Sequence, residues 1–163
     1  MKTTIALVVL ACSLATPAQA GENEEKVAEE NVPKAVRDAV TKKFPDAASR
    51  SFEKEMKGKV TQYEVALELK DGGKTRKMSM DLSAEGAILS EEEKIAFEDL
   101  PSAVKNAHSA SRYGKNTVDS IEREVKQQKT TYELLVVAPE GKRELVYDEK
   151  GALLKEKGAK KKD

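Results

Sequence analysis

Apolar positions along this chain change period in a fixed order, and then the whole order repeats. In "NVPKAVRDAVTKKF" Val32, Val36, Val40 and Phe44 fall four residues apart, with Ala35 and Ala39 alongside. That spacing predicts a helix with one buried stripe. Asn31 is placed to cap it, Pro33 is tolerated in its first turn, and Pro45 ends it, because a proline pushes the preceding residue out of the helical region. From Phe52 the period falls to two. Phe52, Lys54 and Met56 alternate with Glu53 and Glu55; Tyr63, Val65, Leu67 and Leu69 alternate with Gln62, Glu64, Ala66 and Glu68; Met78, Met80 and Leu82 alternate with Lys77, Ser79 and Asp81. Alternation of this kind predicts half-buried strands with one wet face. "KDGGK" (70–74) reads as a hairpin connection, and "AEG" opens a last strand.

The second half says the same again. Asp99, Leu100 and Pro101 stand 68 residues after Asn31, Val32 and Pro33; "SIEREV" stands 69 after "SFEKEM", and Tyr132 stands 69 after Tyr63. "PEGK" (139–142) replaces the first hairpin connection, and "EKGALLKE" follows "AEGAILSEE" at a spacing of 65. Order and spacing hold throughout, which is the signature of an internal repeat. The expected fold is therefore α+β: two tandem repeats, 31–97 and 98–156, each a helix packed on a four-stranded antiparallel sheet. A unit of that size buries a thin core and is marginal alone, so two would share an interface. "YELLVV" is apolar on both faces, so Leu135 and Val137 are expected to meet the other repeat or a partner.

The ends read differently. Residues 1–20 have Lys2, an apolar run from Ile5 to Ala11, and Ala18-Gln19-Ala20 before Gly21, the pattern of a secretory signal peptide too short to span a bilayer. Lipoprotein processing at Cys12 is a second reading; both export the chain to the periplasm or beyond. Residues 21–30 read as a flexible acidic lead-in, and 157–163, with Lys160, Lys161 and Lys162, as a basic disordered tail. That tail is also able to touch anionic lipid or cell-wall polymer. Cys12 is the only cysteine, so cleavage after Ala20 leaves no disulfide framework. Of 163 residues, 36% are charged and 4% aromatic, which limits the core to a modest aliphatic one. The 29 basic and 29 acidic side chains balance, and losing Lys2 leaves 28 against 29. That balance argues against a general nucleic-acid binder.

The run "VPKAVRDAVTKKFPDA…EKE…YEVALEL…DLSAEGAIL" resembles the exported PepSY-like domain, related to the β-lactamase-inhibitor-like fold, in two copies over about 31–156. The resemblance implies a helix-on-sheet repeat, export, and no enzymatic activity. Relatives of this fold include modules that hold or inhibit proteases and a protein inhibitor of β-lactamase. That inhibitor's disulfides are absent here, and no stretch matches its inhibitory loops. The second copy has Arg112-Tyr113-Gly114 where the first has Lys43-Phe44-Pro45, which reads as a degraded helix end.

Candidate chemistry is sparse. His108 is the only histidine, so any catalytic triad would depend on it; a partly buried or helix-end histidine is the reading adopted. No Cys/His cluster offers a zinc site, and "DGGK" lacks the strand–loop–helix context of a phosphate loop. No catalytic, cofactor or metal residue is assigned. The partner face is placed on Glu53, Glu55, Glu64, Glu122, Glu124 and Glu133, which share the wet side of the predicted strands. Lys57, Lys59, Lys126 and Lys129 lie nearby, and a mixed-charge solvated face is the competing reading. The expected function is a non-enzymatic exported binding module for an envelope protein or peptide. Inhibition of an exported hydrolase and Ca²⁺ or cation binding by the acidic face are the alternatives.

Overall fold

The computed structural model describes residues 24–158. The signal segment, Cys12 and Lys160–Lys162 lie outside the described residues. Nine strands follow in chain order: β1 Glu24–Val27, β2 Ala47–Lys57, β3 Val60–Asp71, β4 Lys74–Ser83, β5 Ile88–Lys94, β6 Thr117–Lys126, β7 Lys129–Ala138, β8 Gly141–Asp148 and β9 Leu153–Gly158. Helix α1 (Lys34–Lys43) precedes β2, and α2 (Ser102–Ala110) precedes β6. Every strand pairs antiparallel with its sequence neighbour, so the nine form a single meander sheet.

This overturns the expectation of two repeats, each a helix on its own four-stranded sheet. β5 is not an edge. It pairs with β6 in the register Glu92↔Glu124 and Glu93↔Arg123. The physical reason is the cost of an edge: two separate sheets would each present a row of unpaired N–H and C=O groups at the join, and the β5–β6 ladder satisfies both. The acidic lead-in supplies the ninth strand, with Glu24 opposite Glu55 and Val27 opposite Phe52.

One salt-bridged group marks the join on the helix-bearing side. Glu93 is buried, and its two carboxylate oxygens accept from two different strands. Arg76 Nε on β4 donates to Oε1 at 2.7 Å, and an Arg123 terminal nitrogen on β6 donates to Oε2 at 2.6 Å. Burying a carboxylate is costly unless it is paired and hydrogen-bonded in this way.

The helices lie on one face, over two separate cores. Val32, Val36 and Val40 pack on Phe52, Tyr63, Val65, Leu67, Met80 and Leu82. Leu100 and Val104 pack on Ile121, Tyr132, Leu134, Val136, Leu145 and Tyr147. The four-residue stripe is thus the buried stripe, and both tyrosines face the helix side as their alternation predicts. Full burial of a valine such as Val36 or Val104 contributes on the order of 1.5–3 kcal/mol. Asn31, however, does not cap: each helix begins directly after a proline, Pro33 or Pro101, with no side-chain cap bond.

The ends of the helices are tied down alike. Lys43 bonds to Glu91 and lies 5.8 Å from the Phe44 ring centroid. Arg112 bonds to Glu156 and lies 4.7 Å from the Tyr113 ring centroid, while Tyr113 Oη donates to Glu156 at 2.7 Å. The supposedly degraded second helix end therefore carries the same cation–aromatic–carboxylate latch in different residues.

Gly86 and Gly151 hold the other end of each helix against the sheet. Both have φ of +83°, and a Cβ added there would sit 2.5 Å from the carbonyl oxygen of Ala35 or Ala103, respectively. Each follows a side chain that caps its turn: Ser83 Oγ accepts from the N–H of Ala87 at 3.3 Å, and Asp148 Oδ1 from that of Ala152 at 2.8 Å. Only a residue without a side chain fits a left-handed turn pressed on a helix backbone. Gly86→Ala and Gly151→Ala are each expected to destabilise the protein by about 1–3 kcal/mol. Urea unfolding checks this, and an unchanged midpoint would show that the turn does not touch the helix.

Candidate functional site: an acidic sheet face

Strand alternation puts one set of side chains on the face away from both helices. All six carboxylates singled out from the sequence are there, and the continuous sheet makes them one surface. Glu53 on β2 stands between Lys26 and Glu64. Glu64 on β3 stands between Glu53 and Asp81. Glu124 on β6 stands between Glu92 and Thr131, and Glu122 between Lys94 and Glu133. Glu55 is buried beside Glu24 and meets Lys57 Nζ at 2.9 Å.

Three further acids complete the belt, and sequence reasoning missed all three. Asp81 on β4 and Glu92 on β5 bridge the two clusters, and Glu144 on β8 extends the far end. At the repeat spacing their counterparts are Val146, Lys157 and Ser79, so recurrence between halves could not mark them. The usable signal was the alternation of Ser90, Glu92 and Lys94, which acquires a face only once β5 has a partner on each side.

The belt is electrostatically uncomfortable. Glu53 faces Glu64, Glu64 faces Asp81, Glu92 faces Glu124, and Glu122 faces Glu133. Directly opposed like charges destabilise a sheet by a few tenths to about 1 kcal/mol per pair. Proton affinity rises accordingly. Burial, then the charges of Asp81 and Glu53, raise the Glu64 carboxyl above its ordinary range. Burial, then Glu122 and Glu124, raise that of Glu92. Glu133 is pushed up to about 7 by burial, followed by Glu144 and Glu122. Relief is local: Lys157 reaches Glu144 at 2.6 Å, Lys94 reaches Glu122 at 3.8 Å, and Ser90 Oγ donates to Asp81 at 2.7 Å.

Small residues make the face concave between the acids. Ser51, Ala66 and Ser79 stand directly opposite one another across β2, β3 and β4. The depression there has a volume of about 530 Å³, with Glu64, Glu92 and Glu122 on its wall. A smaller one of about 170 Å³ adjoins it, lined among others by Glu55, Asp81 and Ser90.

Among the described residues no group of three or more His, Cys, Asp or Glu is arranged to hold a metal ion. No helix among them is long and apolar enough to cross a membrane. His108 is buried in the second core and does not line the acidic face. Leu135 and Val137 lie on β7, opposite Glu144 and Lys142, so they take no part in the join between halves. Lys157, expected in a disordered tail, belongs to β9.

Comparison with known proteins places this architecture in a class. The chain belongs to the beta-lactamase-inhibitor-like, PepSY-like family, whose profile matches it twice, over residues 20–90 and 80–155. It is similar to the solved structure of a BLIP-like protein from Bacteroides fragilis, with 26% identity and a TM-score of 0.62 over 79% of this chain and 87% of that one. A structure from Bacteroides eggerthii, described as a candidate periplasmic protein, shares the fold at 18% identity and a TM-score of 0.67, covering 77% of this chain and 88% of that one. One from Bacteroides ovatus does so at 18% identity and 0.64, covering 77% and 86%. No functionally curated protein matches the chain in sequence.

The raised carboxyls give a signed pH effect. Between the ordinary value of 4.5 and about 7, folded Glu133 holds more proton than it does unfolded, so stability falls as pH rises through that window. After discounting for solvent screening the effect is on the order of 1 kcal/mol. Glu133→Gln is expected to raise the melting temperature at pH 8 but not at pH 4.5. Equal shifts at both pH values would disprove the link.

Proposed function

We propose that this protein is a non-enzymatic exported binding module whose open sheet face engages a basic segment of a protein or peptide in the cell envelope. The observation that carries the reading is the opposition of carboxylates across strands, set around a depression floored by Ser51, Ala66 and Ser79. A surface that keeps like charges face to face gives up stability, and a bound cationic chain would return it. Electrostatic complementarity of this kind sets specificity and association rate. Export is supported by the signal-like residues 1–20, and by the periplasmic description of the Bacteroides eggerthii relative of this fold. Family membership and the absence of an assignable catalytic set support a non-catalytic role.

A second reading, inhibition of an exported hydrolase, is favoured by the 26% identical BLIP-like relative. It uses the same face, with the hydrolase as the partner. Loss of β-lactamase or secreted-protease activity in the presence of excess protein would support it, and unchanged rates across both classes would remove it.

Titration calorimetry with a short lysine-rich peptide tests the main reading. Binding is expected to weaken with salt, and the combined Glu64→Gln, Glu92→Gln, Glu124→Gln variant to lose at least about tenfold in affinity, or 1.4 kcal/mol. Equal affinity in the variant would exclude the face as the contact surface.

A further inference from the structure

The two cores are built on one plan, and among the differences between them one pair exchanges two aliphatic side chains for two polar rings. At the spacing of the repeat, Val40 of α1 becomes His108 of α2, and Leu82 of β4 becomes Tyr147 of β8. All four side chains are buried. The first core therefore closes with two aliphatic groups, where the second closes with an imidazole and a phenol. Their ring centroids are 6.5 Å apart at 86°, and the Phe97 ring lies 6.1 Å from the imidazole at 65°.

The imidazole is left unsatisfied: His108 Nδ1 is buried without a hydrogen-bond partner, whereas the Tyr147 phenol has the Ser111 side chain to bond to. An unpaired polar atom in a core is destabilising, and a charge there is far more so. Charged neighbours offer no help. Lys105, three residues back on α2, reaches the Glu98 carbonyl at 2.9 Å. Asp99, in the turn before α2, accepts from the Ala96 N–H at 3.3 Å. Glu156 on β9 is taken by Arg112 and Tyr113. From β7 the cluster receives Tyr132, which is uncharged, and from β8 Tyr147. No carboxylate is aimed at the imidazole, and burial alone holds its proton affinity below the ordinary range.

We propose that His108 is an acid-sensitive latch: protonation of its imidazole releases α2 from the sheet, and the α1 half, which has Val40 instead, does not respond. The sign follows from linkage. A histidine kept neutral in the folded state contributes its full stability above the unfolded value of 6.5 and loses it as pH falls below that value. This is opposite in sign to Glu133, so the two are separable by substitution.

Hydrogen exchange of the full chain, corrected for the intrinsic pH dependence of exchange, tests the proposal. Amides of Val104–His108 are expected to open about thirtyfold more often at pH 5 than at pH 7.5, from one proton taken up with a reference value of 6.5. Amides of Val36–Val40 should not change in step. His108→Val, the residue of the first core, should abolish the acid response, and Tyr147→Phe should keep it. Matched acid responses of α1 and α2 in the wild-type chain would overturn the latch, as would an acid response that persists in His108→Val.

Discussion

The β5–β6 ladder is the constraint on which the rest of the molecule depends. Without it the chain would be two small sheets, each with a bare edge and a core too thin to be secure. With it, nine strands share one hydrogen-bonded surface, and Glu93 is held between Arg76 and Arg123 where the halves meet. The ladder also fixes register. Because Glu92 stands opposite Glu124, the carboxylates of the two halves fall on the same face and in one continuous belt. A slip of one residue would send half of them to the helix side.

Helix docking and the acidic face are two consequences of that one sheet. On one side, α1 and α2 are pinned at one end by glycine turns and at the other by a cation–aromatic–carboxylate latch. On the other side no helix among the described residues covers the strands, and the side chains there answer to solvent and to each other. The helix side provides stability, and the open side spends part of it on opposed charges. A division of this kind is compatible with a beta-lactamase-inhibitor-like, PepSY-like fold.

Much of this was legible in the chain itself. The four-residue stripe from Val32 to Phe44 is the buried stripe of α1, and the alternation around Tyr63 and Tyr132 assigns the core face correctly. The six predicted carboxylates do share a face. Asp81, Glu92 and Glu144 were not legible, because which side of a strand is wet depends on its neighbours. Glu24–Val27 were misread for a related reason: a four-residue acidic strand has no core of its own and exists only because β2 offers it an edge. Residues 112–114 looked like a worn copy of 43–45, since the latch keeps its glutamate while its cation changes from Lys43 to Arg112 and its aromatic from Phe44 to Tyr113.

By itself, then, the sequence determined local period, turn chemistry and the repetition of a helix-and-strand order, because these depend on residues close together along the chain. Only the tertiary structure decided that the halves merge into one sheet, which acids become neighbours, and that His108 and Tyr147 meet inside a core. Those outcomes come from hydrogen bonding and burial between segments tens of residues apart, and no spacing within a segment encodes them.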